Sequence, residues 1–166
     1  VEGPSDVEYI KTAIKLFDRE NLFQAMILDT IGNRLGNQSG GESNLRNGFD
    51  FLKDNRVIKS KVLFLFDPDV KKLPNKGHDY ENLYVRRMNA SGKKGIESLF
   101  ADHVLEEGFQ KGYVSKILRQ REPQLTYAVE DKKSFCEWIC KKRANRPEDF
   151  AGFQKIIQII EEILAL

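Results

Sequence analysis

Five consecutive apolar residues, Val62-Leu63-Phe64-Leu65-Phe66, run straight into Asp67-Pro68-Asp69, and this junction constrains the fold more than any other part of the chain. A strand that is apolar at every position, not at alternate ones, has to be covered on both faces. That is the condition of a strand in the middle of a sheet with helices packed across it. Residues two apart in an extended segment project to the same side, so the Asp67 and Asp69 carboxylates can approach one site, with Pro68 stiffening the step between them. The same tripeptide also suits a plain turn whose aspartates cap their own backbone.

On either side of this strand the apolar spacing predicts further elements. Val7, Ile10, Ile14 and Phe17 lie on one helical face, with Ser5 or Asp6 placed to cap the first turn. Ala25-Met26-Ile27-Leu28 reads as a short buried strand, followed by a glycine-rich loop through Gly32, Gly36, Gly40 and Gly41, and Leu45, Phe49 and Leu52 mark a second helix. Beyond the Asp-Pro-Asp, the segment Glu81 to Met88 reads as another strand and Gly95-Ile96-Glu97-Ser98-Leu99-Phe100 as the start of a helix. From Asp131 the pattern is helical, with Phe135, Trp138 and Ile139 on one side. A last helix runs from about Pro147 to the end on a stripe of Phe150, Phe153, Ile157, Ile160 and Leu164. Strand end, helix, strand, helix, strand is the alternation that generates a parallel sheet flanked by helices. In such sheets the working residues gather at the carboxyl ends of the strands, where Glu2 and the Asp67/Asp69 pair both fall.

The length of 166 residues suits one domain with a small helical appendage and leaves no room for two catalytic domains. A chain that is 40% apolar and 31% charged is neither a disordered tail nor a disulfide-stapled peptide. Cys136 and Cys140, with no further Cys or nearby His to complete a zinc site, read as packing residues of a reducing compartment. No apolar run is long enough to span a bilayer and no signal-peptide pattern opens the chain, which points to the cytoplasm and to no membrane partner. The net charge of +2 says little, because an acidic pocket can offset a basic face. Between Lys71 and Lys94, however, seven basic residues (Lys71, Lys72, Lys76, Arg86, Arg87, Lys93, Lys94) stand against Asp79 and Glu81. That strip suits a phosphate backbone, and equally a solvated loop.

The opening Val-Glu-Gly-Pro-Ser-Asp places Glu2 and Asp6 at a strand-to-helix junction, and some sixty residues on comes the apolar strand with Asp-Pro-Asp. This pairing resembles the Toprim domain, the Rossmann-like parallel sheet of topoisomerases, bacterial primases and the OLD (overcoming lysogenization defect) nucleases. Gly-Pro-Ser-Asp after the glutamate, with the later Gly-Ile-Glu, is most similar to the OLD-type domains that follow an ABC-type ATPase in phage-defence proteins, the Gabija nuclease among them. The resemblance covers roughly residues 1 to 140. It implies a Toprim core over 1–125, with 126–166 as its C-terminal helical part. It also implies metal ligation by Glu2, Asp6, Asp67, Asp69 and Glu97, and a catalytic lysine at Lys132, with Lys133 the neighbouring choice. Glu2, Asp67 and Lys132 are then the catalytic residues. Two features depart from the pattern: the strand before Glu2 is almost absent and no Walker loop is present, so the chain reads as a piece of a longer protein whose ATPase domain lies elsewhere.

The function expected is hydrolysis of phosphodiester bonds with one or two Mg²⁺ or Mn²⁺ ions, as a DNA endonuclease or nickase of anti-phage defence, with DNA favoured over RNA. Lys132 is expected to stabilise transition-state charge. Lys71, Lys72, Arg86, Arg87, Lys93 and Lys94 are expected to hold the backbone, and a homo-oligomer is expected through the ATPase domain. Tyr80, Tyr84 or Tyr113 could add base stacking or simply pack. His78 and His103 have no Ser or Cys arrangement beside them that suggests a triad. The alternatives are nucleotidyl transfer or transient cleavage, and, from another class, a non-catalytic metal- or nucleotide-binding module of an ATPase complex.

Overall fold

A computed structural model describes residues 1–31, 41–55, 58–88, 95–118 and 125–166. The architecture is mixed α/β, with a small parallel sheet of two strands. Strand β1, Val62–Phe66, pairs in parallel with β2, Leu83–Arg87, in the register Val62 with Leu83 through Phe66 with Arg87. β1 is covered on both faces, as its unbroken apolar run requires. Phe64 and Phe66 point into one cluster with Leu45 and Phe49 of helix α3, Glu42–Asn55, whereas Leu65 joins the main helical core on the other side. Phe64 is 1% exposed and meets Phe49 edge to face at 5.4 Å, so Phe64→Ala would cost about 3–5 kcal/mol.

The main core is helical. Helix α1, Pro4–Leu16, buries Val7, Ile10 and Ile14 as its periodicity predicts, and also Tyr9 and Ala13. Its cap differs from the expectation: Gly3 is the N-cap, Pro4 opens the first turn, and Asp6 sits at the third helical position with its Oδ2 accepting the Gly3 N–H at 2.7 Å. Proline has no N–H to leave orphaned at that position, which moves the helix start ahead of Ser5. Helix α4, Asp102–Gln110, α5, Lys132–Lys142, and α6, Gln154–Ala165, complete this core. Its centre is a nest of rings in which Tyr9, Phe100, Phe135, Phe150 and Phe153 meet mostly edge to face, between 4.9 and 6.5 Å apart. α5 begins where expected, with Asp131 accepting the Ser134 N–H at 3.0 Å. The expected helix from Pro147 is a 3-10 turn, Pro147–Phe153, continuing into α6, and the one expected at Gly95 is a 3-10 turn, Ile96–Leu99, ahead of α4.

Two sheet expectations are corrected. Residues Ala25 to Leu28 form no strand: Leu22–Ala25 is a single helical turn, α2, and Ile27 is 93% exposed. A short apolar run does not distinguish strand from helix by periodicity, and here Met26 and Leu28 lean on the helical core instead of pairing. Among the described residues β1 therefore has a neighbour on one edge only, and its other edge faces a cleft of about 720 Å³ lined by Phe23, Met26, Leu28, Leu63 and Ile160. The second correction is an addition. Strands β3, Val114–Leu118, and β4, Leu125–Val129, form an antiparallel pair that the sequence reading did not contain. The β-branched Val114, Ile117, Thr126 and Val129 were the available signal. Among the described residues no helix is long and apolar enough to cross a membrane.

Candidate acidic active site

Four separate segments deliver the site. Glu2 and Asp6 come from the entry to α1, Asp67 and Asp69 from the end of β1, Glu97 from the 3-10 turn before α4, and Lys132 from the first position of α5. The Asp67 backbone N–H, which would continue the ladder on the free edge of β1, donates instead to Glu2 Oε1 at 2.9 Å. This bond ties the first acidic motif to the second across 65 residues of sequence. Lys132 Nζ lies 3.1 Å from Glu97 Oε1 and 3.5 Å from Glu97 Oε2, of which only the second contact has hydrogen-bond geometry. Of the two lysines the sequence offered, Lys132 reaches the acids and Lys133 is exposed. Asp69 is exposed, and its Oδ1 accepts the Gly95 N–H at 3.2 Å.

Electrostatically these groups form one neighbourhood. Burial first, then Glu2, Asp6 and Glu97, push the Asp67 carboxyl up to about 8, with Lys132 opposing them. Burial also raises Asp6, against the opposing Gly3 N–H, with Glu97 adding to the rise. Glu2 is raised first by burial, partly offset by the Asp67 N–H, and then by Asp6, Glu42 and Asp69. For Lys132, burial disfavours the charge, but Glu97, Asp6 and Asp67 outweigh it and hold the ammonium above its ordinary value. Asp67, Asp6 and Glu2 are thus disfavoured as anions by burial and then by neighbouring acids, the condition that a bound cation relieves.

No protein-family model matches the chain, and comparisons with curated proteins and with solved structures find no match.

The residues present fit a hard cation in kind. Asp67 Oδ1 and Glu97 Oε1 are buried oxygens with no hydrogen-bond partner among the described residues, and oxygen donors are what Mg²⁺ takes. Glu97 is itself 5% exposed. Gly95 leaves a gap beside the other oxygen of each carboxylate: a methyl group built there would stand 2.7 Å from Glu97 Oε2 and 3.8 Å from Asp67 Oδ2. They do not make a finished shell, since among the described residues no group of three or more His, Cys, Asp or Glu side chains is arranged to hold a metal ion.

The basic strip is divided by the structure. Lys71, Lys72 and Lys76 are exposed in the turns after β1. Arg86 is engaged by Asp79 through paired bonds of 2.6 and 3.0 Å, and Arg87 donates to the Val70 carbonyl at 3.0 Å. Lys93 and Lys94 lie outside the described residues, as do Gly32, Gly36 and Gly40 of the glycine-rich loop. Tyr80 packs against the β1–α3 cluster under Lys53, and Tyr113 leans on Trp138 at 6.1 Å. His103 is not idle: its Nε2 is 2.7 Å from Asp149 Oδ1, and Asp149 in turn is held by the buried Arg143. The sequence reading passed over this pair and over Gly95. The signal for Gly95 was its place two residues before Glu97, where a side chain at that distance would crowd the carboxylate.

Proposed function

We propose that this chain is a Mg²⁺- or Mn²⁺-dependent nuclease domain of the Toprim type that hydrolyses DNA phosphodiester bonds, working beside an ABC-type ATPase in anti-phage defence. The observation that carries the reading is the meeting of Glu2, Asp67, Glu97 and Lys132 from four distant segments, with the buried Asp67 Oδ1 left without a partner among the described residues and Glu97 Oε1 met only by the Lys132 ion pair. A structural carboxylate is fully satisfied within the protein, whereas Asp67 keeps a buried oxygen without a hydrogen bond among the described residues and has three further acids near it.

One or two divalent ions, when bound, supply Lewis-acid polarisation of the phosphate and an activated water. Asp67 and Glu97 would hold an ion, Glu97 sharing its carboxylate with Lys132, with Glu2, Asp6 and Asp69 acting directly or through water. Glu2 orients Asp67 by accepting its backbone N–H. Lys132 is kept charged by Glu97 and is half-exposed, so it can meet the charge that grows on the phosphate oxygens. Lys71 and Lys72, exposed in the turn after Asp69, supply the sequence-independent attraction to the backbone that any such enzyme needs.

The test is a cleavage assay on supercoiled plasmid and on single-stranded DNA and RNA, with Mg²⁺, Mn²⁺ or EDTA, alongside Asp67→Ala and Glu2→Ala. Metal-dependent cutting that both substitutions abolish is expected. Cutting that survives both would sink the nuclease reading, and metal binding without cutting would favour a non-catalytic binding module.

A further inference from the structure

Three acids of the site meet at a residue that carries no acid. Gly95 donates its N–H to Asp69 Oδ1 at 3.2 Å, and its bare Cα faces Glu97 Oε2 and Asp67 Oδ2. Its backbone, at φ +71° and ψ 167°, lies in a region essentially confined to glycine, and it opens the 3-10 turn that delivers Glu97. A methyl group there would stand 2.7 Å from Glu97 Oε2, closer than packed atoms tolerate. Glu97 has little freedom to retreat. It is 5% exposed, with Lys132 on one side, and the neighbouring Ile96 and Phe100 are locked in the core. The gap is thus bordered by Glu97 Oε2 and Asp67 Oδ2, while the second oxygen of each carboxylate, Glu97 Oε1 and Asp67 Oδ1, is buried without a hydrogen bond among the described residues.

We infer that Gly95 is a positioning residue of the acidic site, keeping open the gap between the Asp67 and Glu97 carboxylates in which a divalent cation is held. The inference rests on the metal-dependent reading above and adds a requirement to it: the ion site fails when this gap is filled, although every acid is still present. Asp69, tied to the Gly95 N–H, then shapes the gap from the side.

The test is calorimetric titration with Mg²⁺ and with Mn²⁺ of the wild type, Gly95→Ala, Glu97→Asp and the double variant. The wild type is expected to bind, and Gly95→Ala to bind at least about tenfold more weakly. Glu97→Asp shortens the carboxylate away from the gap, so in the Gly95→Ala background it should cost less binding than in the wild type, and can restore some. Equal binding by wild type and Gly95→Ala, or strictly additive losses, would overturn the inference while leaving the metal site standing. No binding by the wild type would remove the metal reading and this inference with it. A second readout is independent of whether the variants fold: in the wild type the Gly95 amide resonance should shift on titration with Mg²⁺ and not with an equal ionic strength of NaCl. A Gly95 amide that does not respond while Mg²⁺ binds overturns the inference.

Discussion

Among the described residues two clusters bury carboxylates, and they treat them in opposite ways. At Asp149 the carboxylate is fully buried and satisfied. Arg143 approaches it through two nitrogens and extends to Glu107, and His103 adds a third contact, so the pair joins α4, the end of α5 and the turn before α6. Burial alone would raise the Asp149 carboxyl, but Arg143 and His103 overcome it and hold it below the ordinary range. At Asp67 burial is unopposed except by Lys132, and three further acids raise the carboxyl to about 8. The first cluster is complete as it stands. The second leaves two buried oxygens, Asp67 Oδ1 and Glu97 Oε1, without a hydrogen bond among the described residues.

Breaking the complete cluster should have the largest effect on stability. Arg143→Ala leaves Asp149 buried without its partner and should cost about 3–5 kcal/mol in urea denaturation. A loss below about 1 kcal/mol would mean that the cluster is as compromised as the acidic site.

The pH dependence should separate the two clusters by sign. Asp67 has a folded-state value raised to about 8 from 3.8, so its contribution is fully present in acid and is lost as pH rises from the unfolded value through about 8. Asp149 is held below 3.8, so its contribution is present above that value and is lost as pH falls through the lower, folded one. Denaturant midpoints measured across pH should therefore decline on both sides. Asp67→Asn should flatten the upper limb and leave the acid limb in place, and saturating Mg²⁺ should flatten the upper limb in the wild type as well. An upper limb unchanged by both would remove the electrostatic basis of the comparison.

The smallest effect on stability belongs to Lys132→Ala. The lysine end of its ion pair with the buried Glu97 is 58% exposed and water can replace it there, so the cost should stay within about 1 kcal/mol. On the proposed reading, the same substitution lowers the cleavage rate by about a hundredfold or more. A stability loss as large as that of Arg143→Ala would instead make Lys132 a structural partner of Glu97.

Much of this was legible along the chain. The unbroken apolar run at Val62–Phe66 demanded cover on both faces and has it, and the spacing of Leu45, Phe49 and Leu52 and of Phe150, Phe153, Ile157, Ile160 and Leu164 marked faces that are turned to the core, with Leu52 and Leu164 half-buried at their ends. These are local properties, because side-chain periodicity is set by the backbone repeat alone. The acids were legible too, as residue types at element ends. The run at Ala25–Leu28 was not, because four apolar residues fit a strand, a turn or an irregular wall of a cleft, and only the neighbours available for pairing choose among them.

The sequence by itself determined which residues could be acids of a site, which lysines stood near them in the chain, and where most helices would run. Only the tertiary structure decided that Glu2 would accept the Asp67 N–H, that Lys132 and not Lys133 would reach Glu97, that Gly95 would stand between two carboxylates, and that Asp149 would be neutralised by Arg143 while Asp67 would not. The reason is physical. A charge's environment is set by what packs within a few ångströms of it, and those groups arrive from segments far apart in the chain, whereas a helix or strand is specified by its own few residues.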